Sequence, residues 1–390
     1  MGVVRTFHPI GQGAFYSERF FFYEGEQLKA NHNVVYDCGV CFGQEKKAKH
    51  VVTQAFTDKD EIDYLFISHL DYDHLSLAHI LLPIVKNIVL PLVSEEELVI
   101  AMIYHQIEER EEAVEFFREV IDRLDKRDDN KTVIFIGGDD DKHGPNALQS
   151  GTNIKTAWDP DWVLIPHNIR YCSRRNELIN ELGNVISDQS IQDTIKKKGL
   201  DTFEDAEGLI EKLKGKDFAE KVIVIPDLRR AIKRAYSRIE GGTNENSLLL
   251  YSGPIRMEAE YRIEYCEPHR AYWYYEYRRV ACLYTGDSTC DMADWQKKYS
   301  GVWGLVGTIQ LPHHGSVESF DVEVNQIGRR YEFLVSFGTY NTYGHPSGKV
   351  LAYLMACECG VQMVTEMANS GYMQMIEKRR AKRERGQVEK

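Results

Sequence analysis

Short apolar runs bounded by polar turns recur along the chain, and several lead straight into side chains able to do chemistry. Val3 to Phe7, Phe20 to Tyr23, Asn33 to Gly39 and Tyr64 to Ile67 each read as a strand, with Gly11-Gln12-Gly13 as a flexible turn after the first. Leu75 to Leu90 is apolar and predicts a helix and a following strand packed on the core. Ser94-Glu95-Glu96-Glu97 forms a capping box that opens one long helix. Its apolar stripe runs Val99, Ile103, Ile107, Val114, Phe117, Ile121 and Leu124, and its opposite face is acidic, from Glu108 to Glu119. Lys131 to Ile136 reads as a strand, Gly137 to Asp141 as a turn, and Asp161 to Pro166 as another strand, ending beside His167. The texture then changes. Residues 168–240 are mostly polar and helical, and read as an insertion in the core fold. Their last helix, opened by Pro226-Asp227, is basic, and Arg229, Arg230, Lys233 and Arg234, with Arg238, are the candidate phosphate-facing surface. Strands resume at Ser247 to Tyr251 and continue to about Leu283. The division is one domain over 1–390, the insertion at 168–240, and a basic, fraying tail at 378–390.

Candidate chemistry follows the strand ends. After Tyr64 to Ile67 comes Ser68-His69-Leu70-Asp71-Tyr72-Asp73-His74, which places four metal-capable side chains in the pattern H-x-D-x-D-H. A run this dense does not fit one face of a helix or strand, and reads as a loop wrapped around a cation. Imidazole nitrogen and carboxylate oxygen are the donor set of Zn or Mn, less so of Mg. Three further strands deliver Thr285-Gly286-Asp287, Pro312-His313-His314-Gly315-Ser316 and Tyr343-Gly344-His345-Pro346-Ser347. Each alone is weak. Together they place polar groups along one sheet edge, where sites in sheet proteins collect. Cys38 and Cys41 form a C-x-x-C with no matching second pair and read as reduced cysteines.

Composition narrows the picture. The 390 residues are 43% hydrophobic and 28% charged, which suits a packed globular core. No apolar run reaches the length of a membrane span, no signal-peptide pattern opens the chain, and the eight cysteines are scattered. The expectation is a cytoplasmic protein without a membrane partner. A net charge of −12 argues against long-range capture of nucleic acid, while leaving room for a local basic groove.

These motifs resemble the metallo-β-lactamase superfamily and, within it, the hydrolase (nuclease) domain of the ComEC/Rec2 DNA-uptake proteins. The resemblance covers residues 3–90 and 245–365. Ile10 to Gly13 is similar to the family's V-G-Q-G, with Ala14 where an aspartate usually follows. Val34 to Gly39 is similar to L-I-D-x-G with Asp37 in place, and Asn246-Ser247-Leu248 to N-x-S-L. The other motifs match T-G-D, P-H-H-G-S and G-H-P; Leu75-Ser76 stands where G-G commonly follows the first cluster, and Asp71 where most of the superfamily has His. The resemblance implies an α/β fold, an αβ/βα four-layer sandwich. It implies that Asp73 and His74 hold one metal with His313 or His314, that His69 and Asp71 hold another, and that Asp287 bridges. For a third-site histidine the candidates are His167 and His143.

The expected activity is metal-dependent hydrolysis with one or two divalent ions, Zn or Mn, activating water. Asp73, Asp287 and His345 are the expected catalytic residues, His345 protonating a leaving oxygen or hydrogen-bonding a phosphate. The resemblance favours a phosphodiester of DNA, RNA or a nucleotide. Two alternatives remain: hydrolysis of a small ester, thioester or lactam on the same scaffold, or a metal-stabilised subunit that binds a protein partner through the acidic helix or the insertion.

Overall fold

The computed structural model describes residues 1–24, 27–126, 130–138, 146–156, 158–169, 175–200, 205–256, 261–267, 270–272, 279–324, 326–328 and 331–378, apart from 241–246. The chain opens with β1 (Gly2–Phe7), β2 (Gly13–Glu24) and β3 (Gln27–Val40), then α1 (Glu45–Ala55), β4 (Ile62–Phe66) and the one-turn α2 (Tyr72–Leu75). It continues through β5 (Val85–Pro91), α3 (Glu95–Ile107), α4 (Glu111–Lys126), β6 (Thr132–Gly137), β7 (Ala147–Gln149), β8 (Ile154–Lys155) and β9 (Trp162–Asn168). Five helices follow: α5 (Arg175–Ile186), α6 (Gln189–Lys197), α7 (Ala206–Leu213), α8 (Lys216–Val222) and α9 (Pro226–Glu240). The last third holds β10 (Leu248–Pro254), β11 (Tyr261–Glu267), β12 (Arg270–Tyr272), β13 (Ala281–Tyr284), α10 (Met292–Lys298), β14 (Val306–Gln310), β15 (Glu332–Ser336), α11 (Gly348–Ala356), β16 (Gly360–Val364) and β17 (Tyr372–Lys378).

Two mixed sheets form, ordered β12-β11-β17-β1-β2-β3-β4-β5-β6-β7 and β16-β15-β14-β13-β10-β9-β8. They pack face to face through Phe7, Tyr16, Tyr36, Phe66, Leu164, Leu250 and Tyr284. Helices cover both outer faces. Residues of α1, α3, α4 and the insertion share one apolar cluster behind the first sheet, and Trp295 and Leu354 pack behind the second. This is the expected αβ/βα sandwich, and alternation along the strands explains it, since each strand feeds an inner and an outer core.

A polar network crosses the sandwich. Arg5 of β1 donates to Glu18 Oε1 at 2.7 Å and Gln374 Oε1 at 2.8 Å in its own sheet, and to the Val280 carbonyl at 3.1 Å opposite. Glu18 also accepts from Ser252 Oγ of β10 and from the Tyr284 hydroxyl at 3.0 Å.

The predicted long acidic helix is two helices. The capping box is present, with Ser94 Oγ accepting from Glu97 N at 3.2 Å and Glu97 Oε2 from Ser94 N at 2.6 Å. The helix then breaks because Glu109 turns left-handed at φ 59°, and Arg110 N bonds the His105 carbonyl at 2.9 Å. The insertion docks on α3: Tyr104 and Tyr236 stack with centroids 3.7 Å apart, Arg229 donates to the Ile107 carbonyl at 3.2 Å, and Lys214 pairs with Glu95. Of the predicted tail, Lys378 closes β17 and pairs with Asp161 at 2.6 Å. Residues 379–390, His143, Asn246 and the Asp139–Asp141 turn lie outside the described residues, as does the Arg238 side chain. Among the described residues no helix is long and apolar enough to cross a membrane.

Candidate metal centre

The site forms where strands of both sheets end. β4, flanked by parallel β3 and β5, runs out into Ser68 to Asp71, and α2 then presents Asp73 and His74. Gly39 makes this possible: a Cβ there would lie 2.5 Å from Leu75 N and 2.6 Å from the Asp73 carbonyl carbon, so α2 rides directly on β3. From the opposite sheet, β13 delivers Asp287 and the parallel β14 delivers His313 and His314. The Gln310 carboxamide ties the two loops together, its Oε1 accepting from Thr285 N at 2.7 Å and Gly286 N at 2.9 Å. His313 and His314 both hold left-handed φ angles, 47° and 53°, a conformation costly for histidine and characteristic of sites.

Three buried imidazoles are oriented through Nδ1. His74 Nδ1 donates to Asp37 Oδ2 at 2.8 Å. Ser68 Oγ donates to the same carboxylate at 2.8 Å, so it accepts from His69 Nδ1, also at 2.8 Å. His314 Nδ1 donates to the Ser336 carbonyl at 2.8 Å. Each ring therefore turns Nε2 inward. His74 Nε2 lies 3.2 Å from Asp287 Oδ1, His69 Nε2 3.8 Å from Asp287 Oδ2 and 3.5 Å from Asp71 Oδ2, and His314 Nε2 3.3 Å from Asp73 Oδ2. Two groups result, His69–His74–Asp287 and Asp73–His74–His314, with the donor atoms of each within 4.8 Å of one another. The more exposed His313 has Nε2 3.7 Å from Asp287 Oδ2.

These donors fit a divalent cation. Nε2 of His69 and of His74 and Oδ1 of Asp287 are buried without a hydrogen bond among the described residues, an arrangement that is costly unless something else meets them. A carboxylate behind His74, a hydroxyl behind His69 and a backbone carbonyl behind His314 give the kind of support that metal-binding histidines carry. The electrostatics agree. Burial would raise the Asp73 carboxyl, but His74 and His314 outweigh it and bring it down to about 2. Burial likewise opposes charge on His74, yet Asp287, Asp37 and Asp73 hold its pKa well above the ordinary value. Asp287 is depressed despite its burial, by His74 first. A cation would replace the protons that now balance these carboxylates.

A pocket of about 330 Å³ opens onto the groups, lined by Asp71, Asp73, Asp287, His313, His314 and His345. Tyr72 and Tyr343 from the same motifs line it too, and so do Phe42, Arg110 and Tyr236, which were not apparent in the sequence. His345 enters on a loop held by Asn341, whose Nδ2 donates to the His345 carbonyl at 2.8 Å. Burial, then His313 and His314, lower its pKa.

Residues 27–148 match the family model of the Metallo-beta-lactamase superfamily. Among curated proteins none matches. Members of the superfamily are typically metal-dependent hydrolases, and the buried His/Asp groups agree with that chemistry.

Two expectations find no place in this centre. His167 joins neither group: it shares the outer face of β9 with Val163 and Ile165, and its ring packs edge-on against Tyr299 at 4.9 Å, behind the second sheet. Strand alternation decides this, since the inner face at that strand belongs to Trp162 and Leu164. Nor do Arg229, Arg230, Lys233 and Arg234 line the pocket. Arg230 pairs with Asp227, Lys233 with Glu108, and Arg234 with Glu181 at 2.8 Å, while Tyr236 of α9 does line the pocket.

Proposed function

We propose that this chain is a metal-dependent phosphodiesterase. The observation that carries the reading is the pair of His/Asp groups joined at one pocket floor. His74 belongs to both groups, but its Nδ1 is committed to Asp37 and its one remaining nitrogen serves one cation. Asp73, His74 and His314 then form one donor set, and His69, Asp71 and Asp287 the other, with Asp287 between them. Two ions held in such paired sites would suit a displacement at phosphorus, where attacking and leaving oxygens both need charge stabilisation, although paired sites also serve carbonyl hydrolysis. A divalent ion held there supplies Lewis acidity and activates water for attack.

The chain's own residues orient and balance charge. Asp37, Ser68 and the Ser336 carbonyl fix the three imidazoles, and Asp287 offers one oxygen to each donor set. His345 stands over this floor beside His313, with ring centroids 5.3 Å apart. Its lowered pKa leaves it uncharged at neutral pH, which suits a hydrogen bond to a phosphoryl oxygen better than proton donation to a leaving group.

The test is metal analysis of the purified protein followed by turnover of bis-p-nitrophenyl phosphate and of single- and double-stranded DNA and RNA, against a thioester and nitrocefin, each with Mn and with Zn. Phosphodiester turnover supports the reading. Turnover of the thioester or nitrocefin alone replaces it with small-molecule hydrolysis, and metal uptake with no turnover favours a partner-binding subunit.

A further inference from the structure

The turn that breaks the acidic helix puts Arg110 on the wall of the metal pocket. Its guanidinium lies 5.0 Å from the Tyr72 ring centroid, 5.7 Å from Phe42 and 5.9 Å from Tyr104. Tyr72 stands between Asp71 and Asp73, and its hydroxyl donates to Glu45 at 2.7 Å. Glu112 also accepts from that hydroxyl, at 3.3 Å. Among the described residues no carboxylate lies within ion-pair distance of Arg110, and aromatic faces surround its guanidinium. This differs from α9, where Arg230, Lys233 and Arg234 are each paired with a carboxylate. Aromatic packing restrains a guanidinium while leaving its N–H fork for an anion.

Two rings of the same pocket are exposed: Phe42 at 60% and Tyr343 at 72%, the latter stacked on His345 with 17° between planes. Large exposed rings beside a cation are the parts with which proteins hold a nucleobase and its phosphate. We infer that Arg110 binds a second anionic group of the substrate, a phosphate separated by a nucleoside unit from the one at the metal centre, with Phe42 and Tyr343 bounding that unit. The inference rests on the phosphodiesterase reading and specifies its substrate class: a nucleotide diester with at least one further phosphate.

The experiment compares dithymidine monophosphate with its 5′-phosphorylated form, which share the scissile diester and differ in one terminal phosphate. Arg110→Met keeps an unbranched side chain among the rings and removes the charge. The KM for the phosphorylated substrate should rise about tenfold more than the KM for the unphosphorylated one, as for loss of a charge-assisted contact to the terminal phosphate. Arg110→Lys should recover part of the loss, and if Arg110→Met does not fold, the lysine variant against wild type carries the same comparison at smaller amplitude. Equal changes for both substrates, or none, overturn the proposal. A binding arm separates it from the reading beneath it: thymidine 3′,5′-bisphosphate, whose two phosphates flank one nucleoside, titrated into the Mn-loaded protein should bind wild type more tightly than the Arg110 variant. Absence of turnover in wild type sinks the phosphodiesterase reading alone; equal binding of the bisphosphate by both proteins sinks the anion site.

Discussion

Asp37 touches none of the pocket, yet one of its oxygens holds His74 Nδ1 and both hold Ser68, so a single carboxylate sets two inward-facing rings. Asp37→Asn should therefore lower metal affinity about 10- to 100-fold while the donor residues stay in place, measured by competition with a chromophoric chelator. Asp287→Asn should act differently. The fold should persist, with a melting temperature near wild type, but hydrolysis should fall at least about a hundredfold, because a neutral amide is a poor ligand between two donor sets. Unchanged activity would remove Asp287 from the centre. His74 gives a pH signature. Its pKa is raised in the folded, metal-free protein, so the stability it contributes is complete below its unfolded value and is lost as pH rises through the folded one. Metal must displace that proton, so binding strengthens over the same range. The rise in melting temperature on adding Mn or Zn should grow between about pH 6 and about pH 8, and a rise independent of pH would contradict the proton exchange.

Strand ends and glycines were legible in the sequence because they obey local rules: a two-residue alternation and a backbone that must pass close to another. Gly39 is the strongest case, and Gly39→Ala should dislodge α2 and lose metal along with stability, seen as reduced metal content in whatever soluble protein remains. The break between α3 and α4 was not legible, since Glu108 to Glu112 contains neither Gly nor Pro and the apolar positions on either side keep helical spacing. Arg110 was lost with it, appearing as one charge among many. The cations of α9 misled for a related reason. Composition shows that a helix is basic, but the partners that neutralise it, Glu108 and Glu181, are distant in sequence. Changing Arg229, Arg230, Lys233 and Arg234 together to Ala should lower the melting temperature through lost docking on α3 and leave turnover of bis-p-nitrophenyl phosphate within about twofold. A salt dependence of oligonucleotide binding that flattened in this variant would restore them as phosphate contacts.

Across the whole molecule, the Arg5–Glu18 pair joins both sheets and is fully buried. Removing one member leaves a charge without its partner, so Arg5→Met should cost about 3–5 kcal/mol, read as a shift in the urea midpoint, unless Glu18→Gln accompanies it and relieves part of the loss. Nothing in the sequence pairs these two, because strand alternation marks a position as inward without naming what it meets there. The same sheet carries a temporal consequence. β1 lies between β2, its neighbour in sequence, and β17, which follows more than three hundred residues later. During synthesis the first strand emerges hundreds of residues before β17, and Arg5 waits as long for Gln374. A nascent chain halted before Tyr372 has an open edge along β1 and a buried-type arginine in water, so the first sheet should close only once β17 has left the ribosome.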